Sequence, residues 1–530
     1  MKKKKSLNLF LKSCLKLNKK TIKNFIFLFL LGVLSSFSLP PYNFFFINFI
    51  TFSLLFVFLF KNKNEIKNKF LFFIYGWLFG YGYFLSNLYW ISISLTFDEN
   101  FNFLMPLAVI FIPAFLAIFY GLVTFFFLFL RTQRILTSIL FFSLLFGIVE
   151  FIRGYIFTGF PWNLIIYSLS EMLTFISIIS IIGTYSLNLI IITFFTLPAV
   201  FILRNLKKNY FVISFLILSP IFFLVYGIYY KANFSKLDLE KNETIIRIIS
   251  SNISLDRFYK SDQTEKVIIE LIDISRPDKD KKILFLWPEG IIPNISQSEL
   301  YLYKEFFDKN FSEKHIIGFG INNIEKKDGR YKYYNSFSLF DNELNLLDSY
   351  NKINLVPFGE FLPFEKILSK IGLKTITNNY QSYSKGNLRK IMKISNDMVD
   401  LKFLPLICYE IIYSGSISKK NNFDFIVNIS EDGWFGESIG PKQHFVHSIF
   451  RSIESGKYIL RSANNRITAI INPLGIAEKK VNLTESGYID FEYLKNSKPT
   501  VFSMLGNKIF GLFILLYIFL IISFNREKNE

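Results

Sequence analysis

The chain has 530 residues, of which 51% are hydrophobic and 19% aromatic, more apolar material than a soluble enzyme core absorbs, so a large part of it must sit in lipid. Its formal charge of +19 is scattered through Asn-, Ile- and Phe-rich sequence and forms no single basic patch, which argues against nucleic acid as a partner. Two cysteines and three histidines leave no disulfide framework beyond one pair and disfavour a histidine-rich metal or cofactor site.

Residues 1–230 carry successive apolar runs, each comparable to the roughly 20 helical residues that cross a hydrocarbon core. Seven spans are expected near 25–39, 44–60, 70–95, 104–130, 135–152, 172–203 and 210–229. Leu39-Pro40-Pro41-Tyr42 joins the first two as a tight helical hairpin. The connectors Met1–Lys23, Lys61–Lys69, Arg131–Arg134 and Arg204–Lys208 are basic, whereas Asp98-Glu99 is acidic. By the positive-inside rule this places the N-terminus in the cytoplasm, and an odd number of crossings delivers residue 231 onward to the far side. Lys2–Ser38 could also be read as a cleaved signal peptide, which would leave that orientation unchanged.

From 231 to 500 the composition turns mixed and water-soluble, long enough for one domain with its own core. Ile245–Ile249, Ile283–Trp287, Ile316–Gly320, Ser336–Phe340, Phe403–Cys408, Phe425–Ile429 and Ile467–Ile471 read as buried strands. Helical patterns at Thr264–Ile274 and Gln443–Glu454 alternate with them, so this domain is α/β. Residues 501–530 hold a last span, Ile509–Phe524, and a short tail, which brings both termini to the cytoplasm.

Three segments offer chemistry. Cys408 ends the apolar run Leu404-Pro405-Leu406-Ile407-Cys408, where a strand gives way to a turn, a common place for a nucleophile; a small buried hydrophobe is the ordinary alternative. Glu289 follows a buried strand in Leu286-Trp287-Pro288-Glu289, where desolvation would raise a carboxylate toward the range of a general base. Lys352 stands outside an apolar stretch, with Glu360 eight residues on. Taken singly, both charges also read as solvated strand ends. His444 and His447 have i,i+3 spacing but no acidic or cysteine cluster matching a zinc site, so helix-surface or substrate-pocket packing is expected of them.

The order Glu, Lys, Cys, each after a strand, resembles the nitrilase superfamily of carbon-nitrogen hydrolases. Trp287-Pro288-Glu289, Leu355-Val356-Pro357-Phe358-Gly359-Glu360-Phe361-Leu362-Pro363, Ile407-Cys408-Tyr409-Glu410 and Asn428-Ile429-Ser430-Glu431-Asp432-Gly433-Trp434-Phe435-Gly436 are similar to its membrane branch, apolipoprotein N-acyltransferase. Glu150-Phe151-Ile152-Arg153-Gly154 and Gly159-Phe160-Pro161-Trp162 extend the likeness into the membrane part. Two positions depart from the family pattern: Glu431 stands where Asn is usual and Arg466 where Gly is usual.

The resemblance implies a multi-span helical bundle carrying a nitrilase-like αββα sandwich on the periplasmic side of a bacterial inner membrane. It implies a monomer without metal or cofactor. The implied reaction moves an acyl chain from a membrane phospholipid, through a Cys408 thioester, to the α-amino group of a diacylglyceryl-cysteine apolipoprotein. Glu289 would be the base and Lys352 the oxyanion partner, with Glu360, Tyr409 and Glu410 in support and Trp434 and Phe435 against acyl chains. A tethered amidase acting on a soluble substrate would use the same three residues, but one helix suffices as a tether. A transporter would show ionisable residues within spans and internal repeats. Glu150 and Arg153 instead lie near a helix end.

Overall fold

The computed structural model describes residues 19–526 apart from 65–67, 98, 131, 204–209, 261–262, 328, 364–381, 396–399, 418–421, 482, 484 and 496–497. Helices Lys19–Ser36, Ile47–Asn62, Lys69–Leu88, Met105–Phe127, Ile135–Arg153, Ile179–Thr196 and Tyr210–Ser235 overlie the seven apolar runs, and Lys508–Arg526 the last. A segment in lipid must close its backbone hydrogen bonds internally, and helices do this. Among the described residues, five stretches are long and apolar enough to cross a membrane: Phe101–Phe127, Ile135–Arg153, Ile179–Ile202, Val212–Ser235 and Lys508–Arg526. Ile47–Asn62 is apolar but has only 16 residues. Lys19–Ser36 starts with Lys19, Lys20 and Lys23, and Lys69–Leu88 is diluted by glycines and tyrosines. Those glycines have a use: a Cβ at Gly82 would lie 2.2 Å from the Phe29 carbonyl oxygen, so the Lys19–Ser36 and Lys69–Leu88 backbones meet only because it is absent.

The expected single span over 172–203 is broken into Leu173–Ile176, Ile179–Thr196 and Ala199–Ile202. Gly183 interrupts the middle piece at φ +76°, where the Phe502 ring presses on it. The Thr184 N–H beside the break is satisfied by Glu454 of the following domain at 2.9 Å.

Twelve strands follow among the described residues: β1 Glu240–Ser250, β2 Ile283–Leu286, β3 His315–Lys327, β4 Arg330–Phe340, β5 Leu346–Asn351, β6 Met392–Ser395, β7 Asp400–Ile407, β8 Phe425–Glu431, β9 Tyr458–Asn464, β10 Ala469–Ile471, β11 Ala477–Lys480 and β12 Gly487–Leu494. They form two six-stranded sheets, ordered β12-β1-β2-β3-β4-β5 and β11-β10-β9-β8-β7-β6. The inner strands β1, β2 and β3 pair parallel, as do β7, β8 and β9.

Side chains alternate across each strand. Leu284 and Leu286 of β2, Phe337 and Leu339 of β4, Phe403 and Ile407 of β7 and Val427 of β8 meet in the core between the sheets. Ile283 and Phe285 point the other way, against the Thr264–Ser275 helix through Val267 and Leu271. On the second sheet Leu404, Leu406 and Ile459 face outward onto the Gly440–Ser455 helix and merge with the bundle core. The layers are therefore helix, sheet, sheet, helix, with the last helix pressed on the membrane part. Gln443 pins that junction, accepting from Trp162 Nε1 at 2.9 Å and Trp90 Nε1 at 3.3 Å and donating to the Pro40 carbonyl at 3.2 Å.

Candidate active site

The chain leaves β2, β5 and β7 just before Glu289, Lys352 and Cys408; Lys352 contacts Glu289, and Cys408 lies within electrostatic reach of both. Gly320 of β3 lets the Glu289 turn approach, since a Cβ there would come within 2.6 Å of Glu289 Cα. Cys408 adopts φ +45°, a left-handed conformation that a non-glycine residue holds at a cost of about 1–3 kcal/mol. Its surroundings must enforce that turn, and Glu410 does so. This buried carboxylate accepts from Ile407 N at 2.9 Å, Ile353 N at 2.9 Å, Asn354 N at 3.2 Å and Tyr350 Oη at 2.8 Å. It thereby ties the Cys408 turn to the residues following Lys352.

Lys352 Nζ donates to Glu289 Oε1 at 3.1 Å and Glu360 Oε1 at 3.0 Å, all three groups being buried. Asn335 on β4 donates to the same two oxygens at 2.8 and 2.7 Å. Glu289 Oε2 accepts the Glu431 N–H at 3.0 Å, and Glu360 Oε2 the Val356 N–H at 2.8 Å. Burial works against the lysine charge, but the two carboxylates overcome it and hold its pKa well above the ordinary value. Burial pushes Glu360 up, with Lys352 acting in the opposite sense. Burial, and next the Glu289 charge, raise the Cys408 thiol well above its usual range despite Lys352. At neutral pH the sulfur is therefore a thiol, and a base must take its proton before it can attack.

Behind Cys408 lies a buried polar group that joins His444 to Asp432, Ser430 and Arg461. Arg461 Nη2 donates to Asp432 Oδ2 at 2.6 Å, Ser430 donates to Asp432 Oδ1 at 2.6 Å, and His444 Nδ1 lies 3.0 Å from that oxygen. His444 Nε2 faces the Cys408 carbonyl at 3.4 Å, and the Ser430 hydroxyl reaches the thiol. Burial alone would raise Asp432, but Arg461 and His444 hold it below the carboxylate range. His444 and His447 are both buried, not on a helix surface as one expectation had it, because this face of the Gly440–Ser455 helix is covered by Trp162 and Tyr167 of the bundle. Among the described residues no cluster suited to a metal ion occurs.

The remaining expected residues are placed apart from the reacting groups. The Tyr409 hydroxyl leaves the site and donates to the Gly159 carbonyl of the bundle at 2.9 Å. Trp434 stacks on Phe258 and meets Phe97 edge-on. Phe435 packs against Trp90, Trp162 and His444. Arg466 spans to the carbonyls of Asn465 and Gly436. A cavity of about 580 Å³ opens between bundle and sandwich, bordered by Tyr155 and Thr158 on one side and Ile353, Leu362 and Tyr413 on the other. Asn335 and Ser430 lie one residue outside the expected strands and Arg461 in a strand that patterns as a loop, so nothing local marked them as facing the site.

Residues 31–197 match the apolipoprotein N-acyltransferase N-terminal domain, and residues 280–492 match the carbon-nitrogen hydrolase domain. The apolipoprotein N-acyltransferase of Rickettsia typhi is 34% identical over 92% of this chain and 95% of that protein. Those of Allorhizobium ampelinum and Rhodopseudomonas palustris are 31% and 30% identical, over 88% and 96% of this chain and 89% and 96% of theirs. Apolar helices and bacterial relatives together make this an inner-membrane protein. With one part matching the membrane domain, the other the hydrolase sandwich, and relatives that span nearly all of both, the chain belongs to the apolipoprotein N-acyltransferase family and is an acyltransferase.

Proposed function

We propose that this enzyme transfers an acyl chain from a membrane phospholipid to the free α-amino group of a diacylglyceryl-cysteine apolipoprotein, the last step of lipoprotein maturation. Cys408 is the nucleophile, Glu289 the base and Lys352 the oxyanion partner. The observation that carries the reading is the buried Lys352 ammonium bridging Glu289 and Glu360 at the strand ends beside the Cys408 turn.

In the first half-reaction Glu289 accepts the thiol proton as sulfur attacks the ester carbonyl carbon. Lys352 stabilises the oxyanion together with backbone donors. The carbon–oxygen bond breaks, the lysophospholipid oxygen takes the proton from Glu289, and a thioester remains. In the second, the neutral amine attacks the thioester, Glu289 takes its proton and returns it to sulfur, and the amide departs. Ping-pong kinetics follow. Glu360 orients Lys352, Glu410 holds the Cys408 turn, Tyr409 steadies it from the bundle, and Trp434 and Phe435 contact acyl chains. Seven N-terminal crossings and one C-terminal crossing place the sandwich on the periplasmic side with both termini in the cytoplasm, and the enzyme works as a monomer.

The test incubates purified enzyme with phospholipid labelled in one acyl chain, without acceptor. Mass spectrometry should find a hydroxylamine-sensitive adduct on Cys408 that a diacylated lipopeptide discharges and that Cys408→Ser lacks. No adduct, with hydrolysis of small amides instead, would replace this reading with that of a tethered amidase.

A further inference from the structure

The Glu289 carboxylate is held on one side by Lys352 and Asn335 and on the other by a single backbone group, the N–H of Glu431. What fixes that N–H is a second buried ion pair. Glu431 Oε2 accepts from Arg257 Nη2 at 2.6 Å and Asn464 Nδ2 at 2.7 Å, while Oε1 caps Gly433 N at 2.8 Å. Both partners are almost fully buried, with side chains 2% and 3% exposed.

Arg257 does more than neutralise Glu431. Its Nε donates to the Ile291 carbonyl at 3.0 Å and its Nη2 to the Gly290 carbonyl at 3.3 Å. Its Nη1 reaches the Ser254 and Ile253 carbonyls at 3.1 and 3.3 Å, and the plane lies over Phe258. One guanidinium thus grips the two residues immediately after Glu289 and, through Glu431, the amide that holds Glu289 Oε2. A rigid planar fork suits this double grip, and a lysine could not reproduce it. Asparagine at 431 would bring no charge to balance Arg257, whereas Glu431 does.

We infer that Arg257 and Glu431 form an ion-paired clamp that positions Glu289 for proton transfer. They are positioning residues, since neither touches the reacting atoms. This rests on Glu289 being the base. The charged or titratable groups facing Glu289 are Lys352, Glu360 and Cys408, together with this pair. Removing one member leaves the other charge unbalanced near the base.

The experiment measures kcat, KM and Tm of full-length enzyme in mixed micelles with phospholipid and a diacylated lipopeptide. The variants are Glu431→Gln, Arg257→Gln, Arg257→Lys, the double Gln variant and Glu289→Gln. Each single variant at the pair is expected to lose kcat about ten- to a hundredfold with KM nearly unchanged, as misplacement of a catalytic group costs. The double variant, which lacks the grip of the guanidinium on Gly290 and Ile291 as well, should recover none of the lost rate. Should Arg257→Gln fail to accumulate, Glu431→Gln and Arg257→Lys decide the matter alone. Wild-type kcat in Glu431→Gln and Arg257→Lys, with only a lower Tm, would overturn the clamp. A fully active Glu289→Gln would overturn the base itself, a separate result.

Discussion

The Tyr409 hydroxyl donates to the Gly159 carbonyl at 2.9 Å, so the residue after Cys408 is anchored to the loop that follows a membrane helix. The same carbonyl accepts from Tyr413 at 3.2 Å. Its neighbour, the Phe160 carbonyl, is held by Arg153, which pairs with Glu150 inside the bundle. The Cys408 turn is therefore tied to the membrane part by hydrogen bonds as well as by apolar contact.

Tyr409→Phe keeps the ring and removes one buried bond, which should cost about 1 kcal/mol of stability. Transfer should fall roughly five- to tenfold because the turn loosens, a small misplacement by the measure of catalytic positioning. Thermal unfolding in detergent and steady-state rates check the two parts. An unchanged rate would show that Tyr413 alone suffices.

Lys352→Met leaves Glu289 and Glu360 facing each other without the buried cation between them. Breaking such a site by removing one partner costs about 3–5 kcal/mol, and loss of the oxyanion partner should lower kcat by roughly a thousandfold. Lys352→Arg should restore part of the stability but little of the rate, because a planar fork does not place one donor where the ammonium was.

Cys408 and Glu289 should show opposite effects on reactivity and catalysis. Burial and the Glu289 charge keep the thiol protonated, so in a Cys14→Ser background iodoacetamide should modify Cys408 slowly at pH 7 and faster as pH rises. Glu289→Gln removes the negative charge and should speed alkylation while abolishing acyl transfer. Rates followed by intact-mass spectrometry between pH 6 and about 9 distinguish this from a passive thiol, whose alkylation would not respond to the substitution.

His447 is buried against Tyr167 and Trp162, and burial first, with Arg451 second, holds its pKa well below the ordinary value. The native state therefore keeps it neutral while the unfolded state takes up a proton near pH 6.5. The stabilisation is complete above that pH and is lost as pH falls, at up to about 1.4 kcal/mol per pH unit. His447→Phe should flatten the decline in stability between pH 6.5 and about 5 by this one proton, read from chemical denaturation at each pH.

Much of the sandwich was visible in the sequence because its inner strands are short β-branched or aromatic runs buried on both faces. Ile283–Leu286 and Phe425–Ile429 are the plainest cases, found in β2 and β8. β9 was not visible: Tyr458–Asn464 carries Arg461, Ser462 and Asn464, which pattern as a loop yet are fully buried. Their burial is tolerable only because Asp432, Asn428, the Ile249 carbonyl and Glu431 receive them, partners drawn from other strands. The break at Gly183 was equally hidden, since an apolar run does not reveal that a carboxylate from another domain will cap its interrupted backbone.

By itself the sequence determined the membrane-embedded class, the α/β character of 231–500 and the strand-end positions of Glu289, Lys352 and Cys408. Those follow from hydropathy, period and local motif, which are properties of neighbouring residues. Tertiary structure alone decided that Asn335 shares the Lys352 site, that Arg257 and Glu431 enclose Glu289, and that the bundle grips the Cys408 turn through Gly159. Each of these joins residues far apart in the chain, and a buried charge or hydrogen bond acquires its partner only when the fold brings the two together in a medium without water.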